Sequence, residues 1–227
     1  FDVFTDAKGK PTGISILFHT VGVGTRLMAK WQEGQRVSIN GPLGQAYPEP
    51  ADKGESPDTV IMVGGGIGLA PFLLQAKRWL DKSPERDLVL IAGGRAERDL
   101  RYMSLFQPSV AKGLNLILTT NDGSLGIKGM VTDPLQGELE SLRAAGRNAT
   151  IYTCGPTPMM VAVAQMASRF ETPCIASLEN VMACGYGVCN GCVTLVNDPS
   201  VEGGQRFAKT CIEGPAFDAE ALDWQLA

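Results

Sequence analysis

Four of the chain's six cysteines fall within residues 184–211. They are spaced Cys184-x4-Cys189-x2-Cys192, and Cys211 follows after eighteen intervening residues. Thiolates are soft metal ligands, and this leading spacing is that of plant-type [2Fe–2S] sites. Gly185, Gly187 and Gly191 lie among them, which lets the backbone wrap closely around an inorganic core and aim N–H groups at its sulfurs. Structural zinc is the competing reading, although zinc ribbons usually present two C-x2-C pairs and only one is here. Disulfides or free thiols are a third reading. Cys184, Cys189, Cys192 and Cys211 are the candidate metal ligands, read first as iron–sulfur ligands.

A second set of residues suits a phosphorylated ligand. Val63-Gly64-Gly65-Gly66-Ile67-Gly68-Leu69-Ala70-Pro71 stands between an expected strand and an expected helix. Glycines there allow phosphate to approach the backbone, and Pro71 can start the helix whose N-terminus attracts an anion. Pro71 occupies the place of the third glycine in the usual dinucleotide fingerprint, so the turn alone also reads as a plain turn. Thr153-Cys154-Gly155-Pro156-Thr157-Pro158-Met159-Met160 follows a later apolar run, as do Gly93-Gly94-Arg95 and Asn121-Asp122-Gly123-Ser124. Cys154 by itself reads as a small buried residue. Together, four strand-end motifs point to a dinucleotide site, because open α/β sheets bind ligands at the carboxyl ends of their strands. Candidate binding residues are Gly64, Gly65, Gly66, Gly68, Pro71, Gly94, Arg95, Asp122, Cys154, Gly155, Pro156 and Met159. Arg95 and Arg98 leave NAD against NADP open, since they suit either a 2′-phosphate or solvent.

These residues need elements to hold them. Val60–Val63, Leu88–Ile91, Leu114–Thr119 and Ile151–Thr153 are short apolar runs suited to strands buried on both faces. Between them, Phe72, Leu73, Ala76, Trp79 and Leu80, and later Val161, Val163, Ala164 and Ala167, fall at helical spacing. Strand–helix alternation of this kind predicts a parallel sheet covered on both sides. Residues 13–18 and Gln35–Ile39 alternate as strands, and Pro48 to Asp58 reads as a linker. A hairpin, Cys192–Val196 with Arg206–Thr210, is expected to bring in the fourth cysteine. The expected organisation is α/β and β: a partial β-barrel over 1–52, a parallel-sheet nucleotide domain over 53–178, and a small metal domain over 179–227.

Composition narrows the classes. The 227 residues carry 20 Lys and Arg against 24 Asp and Glu, a net charge of −4. With no basic block, nucleic acid and anionic membrane are not expected partners. Thr59 to Ala76 carries no charge, but its glycine triplet and Pro71 break it, so no membrane span is expected. Phe1 to Leu17 lacks the apolar core of a secretory signal, and a cytoplasmic location is expected.

The GGGxGxxP and CGPxPMM turns resemble the NAD-binding module of the ferredoxin–NADP reductase family. Ser177-Leu178-Glu179-Asn180-Val181-Met182-Ala183-Cys184-Gly185, running into the cysteine cluster, narrows the resemblance to the electron-transfer subunits of bacterial NAD-dependent dihydroorotate dehydrogenases, over essentially the whole chain. The resemblance implies an oxidoreductase subunit that binds NAD(H), FAD and a [2Fe–2S] cluster. It implies a catalytic partner, an FMN-containing subunit that oxidises dihydroorotate to orotate in pyrimidine biosynthesis, assembled as a heterotetramer. It also implies an FAD-binding barrel, of which Leu17-Phe18-His19, Val21–Thr25 and Asn40–Gly44 fit the second half. The first half of that barrel and the family's Arg-x-x-Ser flavin motif are not found from Phe1 onward, so either they precede Phe1 or something else completes the barrel. Leu17, Phe18, His19, Gly24 and Thr25 are therefore candidate FAD residues, with Gly24 and Thr25 near the start of a helix expected at Arg26 to Trp31. The bland readings are an ordinary strand histidine for His19 and a plain turn for Gly41-Pro42. Met182 and Val188 are expected to limit water at the cluster. No acid–base residue is assigned. The alternatives are the same module serving a sulfhydrogenase, a glutamate synthase-like enzyme or a transhydrogenase, or a zinc-stabilised dinucleotide-binding module without redox activity.

Overall fold

The apolar runs read from the sequence become the centre of one sheet. A computed structural model describes residues 2–5, 11–50 and 58–225. The chain opens with an antiparallel pair, β1 (Asp2–Thr5) and β2 (Pro11–Ser15), followed by a short helix α1 (Val23–Met28). Next come β3 (Thr59–Gly65), α2 (Ala70–Lys82), β4 (Leu88–Gly94), α3 (Gln107–Val110), β5 (Asn115–Thr120) and the two-residue β6 (Ile127–Lys128). Then follow α4 (Thr132–Ala144), β7 (Ala149–Cys154), α5 (Thr157–Arg169) and β8 (Cys174–Ser177). After the cysteine loop come β9 (Val193–Asn197), β10 (Gln205–Lys209) and β11 (Ala216–Asp218).

Seven strands form one sheet in the order β11-β8-β7-β3-β4-β5-β6, parallel throughout except for β11. The period-2 alternation of a strand explains its two cores. Ile61, Val63, Val89, Ile91 and Ile151 face α4 and α5, meeting Leu135, Leu139 and Val163. Val60, Met62, Leu88, Leu90 and Tyr152 face α2, meeting Phe72, Ala76 and Trp79. A parallel sheet with both faces covered was expected from the runs, and it is found.

Several expectations change. Gln35–Ile39 forms no strand, and Val37 and Ile39 are exposed; alternation makes a strand only where a neighbouring backbone pairs with it. Of the described residues in 1–52, only β1 and β2 pair, as a two-stranded sheet; the helix that follows begins at Val23 rather than Arg26, because the Thr25 hydroxyl accepts the Val21 and Gly22 N–H groups and starts the turn earlier. The stretch read as a linker is anchored at its start. The Tyr152 hydroxyl donates to the Pro48 carbonyl at 2.8 Å, and Glu49 pairs with Arg78 and Lys82. Residues 51–57 of that stretch lie outside the described residues. β11 returns from beyond the cysteines to pair with β8, Ala216 opposite Ser177, so the last region is tied into the central sheet. Among the described residues, no helix is long and apolar enough to cross a membrane.

Candidate functional site

The carboxyl ends of β3, β4, β5 and β7 open on one cleft of about 870 Å³, a size within the usual range for cofactor sites. The loop after β3 forms its floor. Gly66 takes φ +54, a left-handed conformation that glycine adopts without cost, and open space lies where its Cβ would stand. Gly68 serves a different purpose. A Cβ there would lie 2.3 Å from the Cys154 carbonyl oxygen, so this glycine lets the turn pack on the end of β7. The glycine run is thus partly a packing device, where the sequence suggested phosphate approach throughout.

Of the sequence-read residues, Gly65, Gly66, Gly68, Gly94, Arg95, Gly155, Pro156 and Met159 line the cleft, and His19 joins them from the first segment. Gly64, Pro71, Asp122, Cys154, Leu17, Phe18, Gly24 and Thr25 are not on its wall. Gly64 is wedged against Leu69, and Pro71 lies in the first turn of α2. Asp122 accepts the Ser124 N–H and hydroxyl at 2.9 and 2.6 Å, and the hydroxyl bond above all holds its carboxyl below the ordinary value. Ser124 in turn accepts the Glu97 N–H, so Asp122 braces two of the loops rather than facing a ligand. Burial pushes the Cys154 thiol up to about 11, leaving it neutral. Asp99 accepts the N–H groups of Arg95 and Ala96 and so fixes the loop that carries Arg95 into the cleft.

The four cysteines gather into two pairs. The Cys189 N–H points at the Cys184 sulfur and the Gly191 N–H at the Cys189 sulfur, each at 3.4 Å. The first of these, with the Tyr186 N–H, draws the Cys184 thiol down to about 6. Cys192 and Cys211 are both buried, and hydrogen bonding between them holds the Cys211 thiol above its ordinary value. Backbone donors that favour thiolate are the donor chemistry an iron–sulfur cluster requires. Lys209 donates to the Gly187 carbonyl at 3.0 Å, inside the same loop. Met182 and Val188 do not seal the site. They are 46% and 73% exposed.

Two contacts join the cleft, the cysteines and the first segment. Asn180, on the cleft wall, donates to the Thr210 hydroxyl at 2.8 Å and to the Cys192 carbonyl at 3.4 Å. Gln45 donates its backbone N–H to the Gly214 carbonyl at 2.6 Å and its side-chain amide to the Ile212 carbonyl at 3.2 Å. The Asn40–Gly44 segment is thereby held against the loop of Cys211. Leu178, Glu179 and Asn180 were quoted in the sequence only as part of a resemblance, and the cleft shows them to be lining residues. Their signal was position, since they directly connect the last parallel strand to the first cysteine.

Residues 62–165 match the oxidoreductase NAD-binding domain family, and residues 179–223 match the iron–sulfur cluster binding domain of dihydroorotate dehydrogenase B. The electron transfer subunit of dihydroorotate dehydrogenase B (NAD(+)) from Bacillus velezensis is 33% identical over 210 residues, covering 92% of this chain and 74% of that protein. The chain belongs to this family. The corresponding subunit from Shouchella clausii is 35% identical over 208 residues, covering 90% of this chain and 71% of that protein. Among solved structures, an NADH-dependent reduced ferredoxin–NADP oxidoreductase superposes with a TM-score of 0.72 at 26% identity, covering 98% of this chain and 78% of its own. The expected reductase-type architecture is thus met over nearly the whole chain. Both sequence relatives carry the dihydroorotate dehydrogenase name, which does not favour the other partners considered from the sequence.

Proposed function

We propose that this chain relays electrons between NAD(H) and a catalytic subunit that oxidises dihydroorotate to orotate. In this reading NAD(H) occupies the strand-end cleft, and Cys184, Cys189, Cys192 and Cys211 hold a [2Fe–2S] cluster. FAD lies against the segment containing Leu17, Phe18, His19, Gly24 and Thr25. The observation that carries the reading is Asn180, which stands on the cleft wall while bonding to the segments of Cys192 and Cys211. When bound, FAD and the cluster supply the conversion of two-electron hydride chemistry into single-electron steps.

The chain's own residues bind and orient. The Gly66–Gly68 turn presents N–H groups toward a diphosphate. Arg95 adds positive charge on the same wall, and His19 brings the flavin segment to it. N–H groups of Cys189 and Gly191 stabilise negative sulfur. The NAD(+) in both relatives' names supports NAD over NADP. The division into 1–52, 53–178 and 179–227 follows these three tasks. An FMN-containing partner, a heterotetramer and a cytoplasmic setting in pyrimidine biosynthesis complete the reading; the exposed Val181 and Val188 beside the cysteines suit a partner subunit's surface.

Cys189→Ser tests this in the complex with the catalytic subunit. Electron passage to the partner is expected to be lost, with NADH oxidation by an artificial acceptor retained. Transfer at the wild-type rate would remove the relay.

A further inference from the structure

Tyr102 lies between two short 3₁₀ turns, 97–100 and 103–106, and packs its ring against the core on the α2 face of the sheet. It is not on the cleft wall. Its hydroxyl donates to the carbonyl of Gly66, thirty-six residues earlier. A trans peptide is planar, with C=O and N–H pointing in opposite directions. The carbonyl that Tyr102 draws to itself therefore sends the Ile67 N–H away from Tyr102. Ile67 lines the cleft and Tyr102 does not, so that donor is turned to the ligand side. Gly66 sits at φ +54 at the start of the 3₁₀ turn 66–69, with nothing near its Cβ position, and the Tyr102 hydroxyl holds its carbonyl from outside that turn.

We propose that Tyr102 is a positioning residue for NAD(H): its hydroxyl locks the Gly66–Ile67 peptide so that the N–H faces the cofactor's diphosphate. This rests on the reading of the cleft as the NAD(H) site. Burial, and then the Asp99 carboxylate, raise the Tyr102 hydroxyl to about 12, so it remains a donor at every working pH.

The test is Tyr102→Phe in the full chain, which keeps the ring and removes only the hydroxyl. Binding of NADH, ADP-ribose and adenosine is measured by calorimetry, together with the thermal midpoint and the kinetics of NADH oxidation. Loss of one neutral hydrogen bond corresponds to about a threefold to tenfold weakening. That weakening is expected for NADH and ADP-ribose, which carry a diphosphate, and not for adenosine. KM for NADH rises while kcat holds, and the thermal midpoint falls by only a few degrees. Unchanged NADH binding overturns the proposal. So does equal weakening of all three ligands, which would make the hydroxyl a general support of the fold. Failure of the unaltered chain to bind NADH would instead overturn the cleft assignment beneath it.

Discussion

Gly68→Ala should separate packing of the glycine turn from mere flexibility. A Cβ at residue 68 would stand 2.3 Å from the Cys154 oxygen, 2.5 Å from the Cys154 carbonyl carbon and 2.6 Å from the Gly155 Cα. All three obstacles are backbone atoms at the end of β7, and none can rotate away. Ordinary contact begins near 3.4 Å, so the turn and the strand end must part by about 1 Å. Overpacking of this kind costs about 1–3 kcal/mol of stability. A shift of ~1 Å in a positioning element costs up to roughly 10²-fold in kcat/KM. Gly137→Ala is the matched control. Gly137 lies inside α4 with open space at its Cβ position, and alanine there should stabilise by about 0.5–1 kcal/mol. Thermal melts and NADH binding titrations on both variants read the two effects. The Gly68 variant should melt lower and bind NADH more weakly, and the Gly137 variant should melt higher and bind normally. Wild-type NADH affinity in Gly68→Ala would refute the claim that this close approach shapes the cleft.

Other perturbations follow from the same geometry. Lys209→Met removes a part-buried cation that donates to the Gly187 carbonyl in the cysteine loop, so the cluster's potential should fall, while Lys209→Arg should hold it, as redox-titrated EPR would show. The Asp198 carboxyl is held at about 2 by the Ser200 hydroxyl and then by Arg206. Because its folded value lies below the ordinary 3.8, the stability it contributes is complete above about pH 4 and is lost as pH falls toward about 2. In Arg206→Gln, NMR titration of Asp198 should show its midpoint rising toward the ordinary value; no movement would place the effect wholly on Ser200.

The sheet was legible because its centre is buried on both faces. Val60, Ile61, Met62 and Val63 all have zero exposure, and such a run has few other uses. The cysteine spacing was legible because metal ligation constrains residue type as well as interval. α4 was missed although Leu135, Leu139 and Leu142 are its buried face, since Pro134 and Gly137 within it weaken the helical signal. β11 was missed because three residues after the Gly214-Pro215 turn carry no period; only pairing with β8 makes them a strand. Asn180, Gln45 and Tyr102 were invisible as connectors. Each acts through a partner 12 to 169 residues away, and such pairings exist only after the sheet has assembled. Gln35–Ile39 shows the reverse, a clean alternation with which no backbone pairs among the described residues.

An anaerobic NADH titration of the purified chain reaches the central claim most directly, followed by visible absorbance of the flavin and by low-temperature EPR. Bleaching of the flavin together with the signal of a reduced [2Fe–2S] centre would establish that the cleft, the flavin segment and the four cysteines form one relay. One bound zinc with no sulfide, and no EPR signal under NADH or dithionite, would contradict it.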